Sequence, residues 1–184
     1  MEPLIARGVS LWLLPEAAEG DRLARVISRL ASRLGTPAFA PHVTLLPGLA
    51  FPKDEVVDRT APLLTDLEAL SVALGSPAGR DEPFQRLFLP VAMTFRLVHA
   101  HALFRSAFAP GDERPFEPHL SLVYGPLAEA EKASLLREIV PDLPKRLRLS
   151  TLEVVETEGP VEKWQSLARF PLPVPASGHD RKGM

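Results

Sequence analysis

An α+β protein built from two similar lobes is the fold expected of this 184-residue chain. Segments with a two-residue hydrophobic period alternate with segments of helical period along its length. The order strand, helix, strand, helix, strand occurs on each side of a Gly/Pro-rich loop at residues 75–79. One short text also recurs: residues 41–48 read PHVTLLPG and residues 118–125 read PHLSLVYG. Repetition of a whole supersecondary unit is the mark of duplicated halves. The halves fall at roughly 1–80 and 81–172, within a single domain spanning 1–172.

The first strand is read over residues 7–14, where Val9, Leu11 and Leu13 alternate with Ser10, Trp12 and Leu14. Pro15 ends it. Asp21 is the expected N-cap of a helix whose Leu23, Val26, Ile27, Leu30, Ala31 and Leu34 fall on one face, stopped by Gly35 and Pro37. Residues 42–46 read as a second strand, closed by Pro47-Gly48. Residues 53–67 read as a helix that Pro62 must break or kink, and 67–74 as a strand. In the second half, residues 84–91 alternate as a strand, and Thr94 caps a helix running to about Phe108. A polar loop at 109–118 leads into a strand at 120–124. An amphipathic helix at 127–140 is stopped by Pro141, and two late strands, 147–155 and 164–170, are candidates to pair. The small, polar tail at 173–184 is expected to be disordered.

Composition removes several function classes. Hydrophobic residues make up 46% and charged residues 24%, so the chain can build a core. The 21 Lys+Arg are outnumbered by 23 Asp+Glu, and a surface that grips duplex phosphates needs the opposite balance. There are no cysteines, which excludes disulfides, thiolate metal sites and a Cys nucleophile. No apolar run reaches the roughly 20 residues of a membrane span, and residues 1–10 lack a signal peptide's basic start. A cytoplasmic protein is expected, with no membrane partner, as a monomer. No Gly-rich loop follows the first strand, where the text is Leu-Leu-Pro-Glu, so a dinucleotide or Walker site is not expected.

The repeat carries the chemistry. Side chains at i and i+2 leave a strand on one face, so His42 points with Thr44 and His119 with Ser121. Related by a pseudo-twofold, the two pairs would face each other across one cleft. Two imidazoles can then act as general acid and general base in one turnover. Two hydroxyls can donate to the non-bridging oxygens of a phosphate as charge builds there. No metal or other cofactor is required. A single His-x-Thr is a weak motif, because most such histidines are structural. Two copies, each with Pro before and Leu-x-x-Gly after, are specific.

With these residues in view, the chain resembles the two-histidine (2H) phosphoesterase superfamily, defined by two His-x-(Thr/Ser)-x motifs, and within it the cyclic phosphodiesterase family of plants and fungi. The likeness extends to VSLWLLP at 9–15, PFQRLFL at 83–89 and EKW at 162–164. It implies two pseudo-symmetric lobes of antiparallel sheet plus helices around a central cleft. It also implies hydrolysis of a ribose cyclic phosphate, either ADP-ribose 1″,2″-cyclic phosphate or a nucleoside 2′,3′-cyclic phosphate, to a 2′-type monophosphate. His42, His119, Thr44 and Ser121 take the catalytic places, with His119 as base and His42 as acid. Alternatives are an RNA-end 2′,3′-cyclic phosphodiesterase related to 2′-5′ RNA ligases, which would take RNA 3′ ends as partners, and a non-catalytic nucleotide-binding module.

Three aromatics are candidates for substrate binding. Trp12 could stack a base or cap the ribose, Tyr124 could line the mouth of the cleft, and Phe84 could stack; each could equally serve the core. His99 and His101, two apart on a helix, do not face each other and make a poor metal pair. They are read as surface or partly buried side chains. Asp112 and Glu113 are read as part of an ordinary loop before the second motif.

Overall fold

The computed structural model describes residues 4–175. The first half contains β1 (Ile5–Ala6), β2 (Val9–Pro15), α1 (Ala17–Leu34), β3 (Val43–Leu49), α2 (Lys53–Thr60) and β4 (Leu70–Ala73). The second contains β5 (Leu87–Pro90), α3 (Phe95–Phe108), β6 (His119–Val123), α4 (Glu129–Ile139), β7 (Arg146–Glu156), β8 (Gly159–Pro160) and β9 (Gln165–Pro171).

One seven-stranded antiparallel sheet carries the fold. Its order is β4-β7-β2-β3-β6-β5, with β9 on the remainder of the β7 edge that β4 leaves open. The late strands predicted from sequence are therefore paired. Bridges Leu74↔Val91 and Ala78↔Phe88 tie the segment after β4 to β5, so the sheet curls until its two ends meet. A separate ribbon joins β1 to β8.

The centre of the sheet explains the repeat. β3 and β6 pair at Val43↔Leu120, which are equivalent positions of the two motifs. An antiparallel pair of equivalent residues places a local twofold axis between them. Outward from that axis, β2 flanks β3 as β5 flanks β6. Next come β7 beside β2 and the β4 segment beside β5. The two halves thus exchange their last strands, and each lobe takes its outer strand from the other half. The helices cross over too: α1 follows β2 but packs on β6, and α3 follows β5 but packs on β3. Leu23, Val26, Ile27, Leu30 and Ala31 form the buried stripe of α1. Leu97, Ala100, Phe104 and Phe108 form that of α3.

Most boundaries follow the sequence reading. Thr94 caps α3 by accepting from the Leu97 amide at 3.2 Å, Gly35 ends α1 with φ +64°, and Pro62 falls in a 3₁₀ segment, Ala61–Asp66, that follows α2. Three readings are corrected. Asp21 is not an N-cap: α1 begins at Ala17, directly after Pro15-Glu16, leaving no loop to cap. Pro47-Gly48 does not close β3; Gly48 takes φ +65° and Leu49 resumes pairing with Val9. Phe84 lies in a turn before β5, not in the strand. Of the expected tail, the Pro173 carbonyl accepts from the Ala69 amide at 2.8 Å; residues 176–184 lie outside the described residues.

Candidate active site

The register at the twofold brings the four motif side chains together. With Val43 opposite Leu120 and both buried in the core, the residues on either side share the opposite face. His42 then lies across from Ser121, and Thr44 across from His119. Each imidazole is set beside the other motif's hydroxyl.

The histidines are oriented alike. His42 Nδ1 bonds the Ala40 carbonyl at 2.7 Å, and His119 Nδ1 bonds the Glu117 carbonyl at 2.9 Å. A carbonyl only accepts, so each Nδ1 carries the proton and each Nε2 is left for chemistry. The proline of each motif accounts for the match. Pro41 and Pro118 hold the residue before them extended, which turns that residue's carbonyl toward the imidazole. Pro-His is therefore the part of the motif that fixes the tautomer.

Both motif strands bulge at the same place. Thr44 pairs with Trp12 and Leu46 with Leu11, which leaves Leu45 as an extra residue. Ser121 pairs with Phe88 and Val123 with Leu87, which leaves Leu122 extra. The leucine shared by the two motifs is the bulge position, immediately after each hydroxyl. Bulges re-aim neighbouring side chains and are frequent beside active sites.

The surroundings of the two histidines differ. His42 is buried, and its ring stacks on Trp12 at 3.6 Å and 7°. The Tyr124 hydroxyl lies 3.4 Å from its Nε2. Burial pushes its pKa down to about 4, offset in part by the Ala40 carbonyl and lowered further by the nearby His119. His119 is half-buried, with Phe88 edge-on at 5.4 Å. Ser121 is buried and donates to the Phe84 carbonyl at 2.8 Å. Burial pushes the Tyr124 hydroxyl well above its ordinary pKa, against a smaller opposing hydrogen bond with Ser121. Tyr124 thus touches His42 of one motif and Ser121 of the other.

The predicted aromatics gather on the His42 side. Phe84 meets Tyr124 edge-on at 5.2 Å, and Trp12 meets Trp164 at 5.7 Å. Phe39 stacks on Tyr124 at 3.7 Å. On the other side, open space adjoins Thr44 and His119. One cavity of about 170 Å³ is lined by Thr44, His101, Phe116 and His119. Another of about 410 Å³ is lined by His119, Phe88, Phe116 and Arg80. Sequence reasoning missed Phe39, Phe88, Trp164 and His101. Trp164 stood in the EKW text and could have been found there. Phe88 is marked only by register, opposite Ser121 as Trp12 is opposite Thr44.

Asp112 also lines the smaller cavity, where hydrogen bonds from Arg114 hold its carboxyl far below the usual range. Among the described residues no three His, Cys, Asp or Glu side chains converge as metal ligands, and no helix is long and apolar enough to cross a membrane.

Comparison with known proteins gives the family and the fold. The family model for cyclic phosphodiesterase-like proteins matches residues 7–172. The chain belongs to that family. It is a phosphodiesterase of the two-histidine phosphoesterase superfamily. A cyclic phosphodiesterase of Arabidopsis thaliana is 28% identical to it over 166 residues, which are 86% of this chain and 92% of that protein. Among solved structures, TT0787 of Thermus thermophilus superposes with a TM-score of 0.60 at 17% identity, covering 91% of the phosphodiesterase and 99% of that chain. Apo LigT of E. coli superposes with a TM-score of 0.54 at 14% identity, covering 94% and 99%. The fold is theirs. LigT has also been crystallised with 3′-AMP and with phosphate.

Proposed function

We propose that this phosphodiesterase opens a ribose cyclic phosphate, a nucleoside 2′,3′-cyclic phosphate or ADP-ribose 1″,2″-cyclic phosphate, by two-histidine acid–base hydrolysis without a metal. The observation that carries the reading is the Val43↔Leu120 register. It sets two imidazoles and two hydroxyls on one face about a twofold axis, with both Nδ1 atoms held by backbone carbonyls. One histidine takes the proton of the attacking water. The phosphorus gains that oxygen and loses one ribose oxygen, which the other histidine protonates. Thr44 and Ser121 donate to the phosphoryl oxygens, and Ser121 gives up the Phe84 carbonyl to do so. Trp12, Tyr124 and Phe84 back the His42 side of the site, and the base or ribose takes the open space beside Thr44 and His119. The Tyr124 hydroxyl must leave His42 Nε2 before that nitrogen can act. The relative's name, and the nucleotide and phosphate complexes of LigT, fit a small nucleotide substrate.

The family resemblance makes His119 the base and His42 the acid, leaving phosphate on the 2′-type oxygen. One observation favours the reverse. Burial holds His42 neutral in the free protein, the form a base needs. Because the site is nearly twofold, exchanging the roles exchanges which ribose oxygen leaves, so the reverse division yields the 3′-type product for the same ribose placement. Phosphorus NMR of the product separates the two. A panel of the four nucleoside 2′,3′-cyclic phosphates, 3′,5′-cyclic AMP, ADP-ribose 1″,2″-cyclic phosphate and a cyclic-phosphate-ended oligonucleotide tests the substrate class. Preference for the oligonucleotide would replace the small-substrate reading with an RNA-end one. Saturable binding without turnover would leave only a nucleotide-binding module.

A further inference from the structure

The β3 bulge leaves a backbone problem beside the proposed site. Leu45 is the extra residue on the β2 side. On the other side β3 meets β6 only at Val43. Leu45 therefore has no register partner on either neighbour, yet it is buried. A buried carbonyl without a partner is costly, roughly 1–3 kcal/mol. The partner comes from α3: His101 Nδ1 bonds the Leu45 carbonyl at 3.0 Å. The ring of His101 also stacks on Phe116 at 3.9 Å and 5°. Phe116 lies three residues before His119. One side chain thus joins the bulge after Thr44 to the segment that delivers His119, and it lines the cavity bordered by both.

Packing alone does not call for an imidazole here. His101 Nε2 is buried without a hydrogen-bond partner. A phenylalanine or leucine would fill the space without that cost. The group in use is the Nδ1–H, which a carbonyl acceptor requires.

We propose that His101 is a positioning residue, which pins the Leu45 bulge and so aims the Thr44 hydroxyl at the phosphoryl group. The catalytic part rests on the function proposed above; the geometric part does not. His101→Phe keeps the stacked ring and removes the donor. His101→Asn restores a donor near the Nδ1 position. Misplacing a reacting or donating group by about 1 Å can cost up to about 100-fold. We expect His101→Phe to lower kcat about tenfold with KM nearly unchanged, and His101→Asn to recover most of it. In a Thr44→Val background His101→Phe should cost almost nothing more, because its effect passes through the Thr44 hydroxyl.

Thr44 methyl NMR supplies a readout free of turnover. We expect one staggered rotamer in the wild type and His101→Asn, and rotamer averaging in His101→Phe. An unchanged Thr44 methyl in a folded His101→Phe protein would overturn the proposal. So would a fall in kcat fully additive with Thr44→Val, or a loss equal in both variants that tracks melting temperature. A wild type that hydrolyses no cyclic phosphate would overturn the proposed function, while the methyl readout still decides the positioning role.

Discussion

The two motifs share their text and their backbone but not their environment. In the first, His42 is buried against Trp12 and covered at Nε2 by Tyr124, while Thr44 is half-buried and borders open space. In the second the order is reversed: His119 borders the cavities, and Ser121 is buried and already bonded to the Phe84 carbonyl. In the Val43↔Leu120 register the two buried groups, His42 and Ser121, therefore lie beside each other, and so do the two more open ones, Thr44 and His119. Symmetry of sequence sets the positions of two imidazoles. Asymmetry of packing is what can give two identical imidazoles different protonation states, as paired acid and base roles require.

The comparison can be broken most directly at the histidines. His42→Ala and His119→Ala should each lower kcat by about 10²–10⁴-fold, the scale of a positioned acid or base. If only one mattered, the twofold reading would fail. Next come the hydroxyls. Thr44→Val and Ser121→Ala should each cost about 10- to 10³-fold in kcat, with smaller changes in KM, as for loss of a donor to a developing charge. Their stabilities should differ. Ser121→Ala leaves the Phe84 carbonyl unpaired and should cost about 1 kcal/mol or more, whereas Thr44→Val should leave the melting temperature nearly unchanged. Equal stabilities would contradict the difference drawn between the motifs.

A further prediction concerns acid. In the unfolded chain His42 takes up a proton as pH falls below its ordinary 6.5, but in the folded protein it stays neutral to about 4. The unfolded state therefore binds more protons in that window, and stability falls as pH drops from 6.5 to 4. The contribution is about 3 kcal/mol when fully lost. His42→Asn should flatten this part of the stability–pH curve, measured by denaturant unfolding. His119→Asn should flatten it less. Chelation should have the smallest effect of all, with activity retained after exhaustive EDTA treatment.

Much of this was legible in the sequence because the repeat is a local signal. PHVTLLPG and PHLSLVYG fix strand, face and spacing together, so the sequence alone puts each His/hydroxyl pair on one face. Hydrophobic period located α1 and α3, and Thr94 and Gly35 marked their ends. What could not be read was non-local. The exchange of β4 and β7 between lobes depends on pairings between residues far apart in the chain. The role of His101 depends on a bulge at Leu45 that no spacing reveals; on its helix it reads as one more half-exposed histidine. Asp21 misled because a residue suited to capping helices fell one turn inside a helix that starts straight after Pro15.

The central claim is that both histidines act on one phosphoryl group in a single turnover without a metal. Its most direct test is the pH dependence of kcat/KM for a nucleoside 2′,3′-cyclic phosphate, measured in EDTA on the wild type and the two single alanine variants. We expect a bell for the wild type, its limbs belonging to the coupled pair, and a severe loss of rate in each variant. A flat profile between about pH 5 and 9, or activity that vanishes in EDTA and returns with a divalent ion, would contradict it.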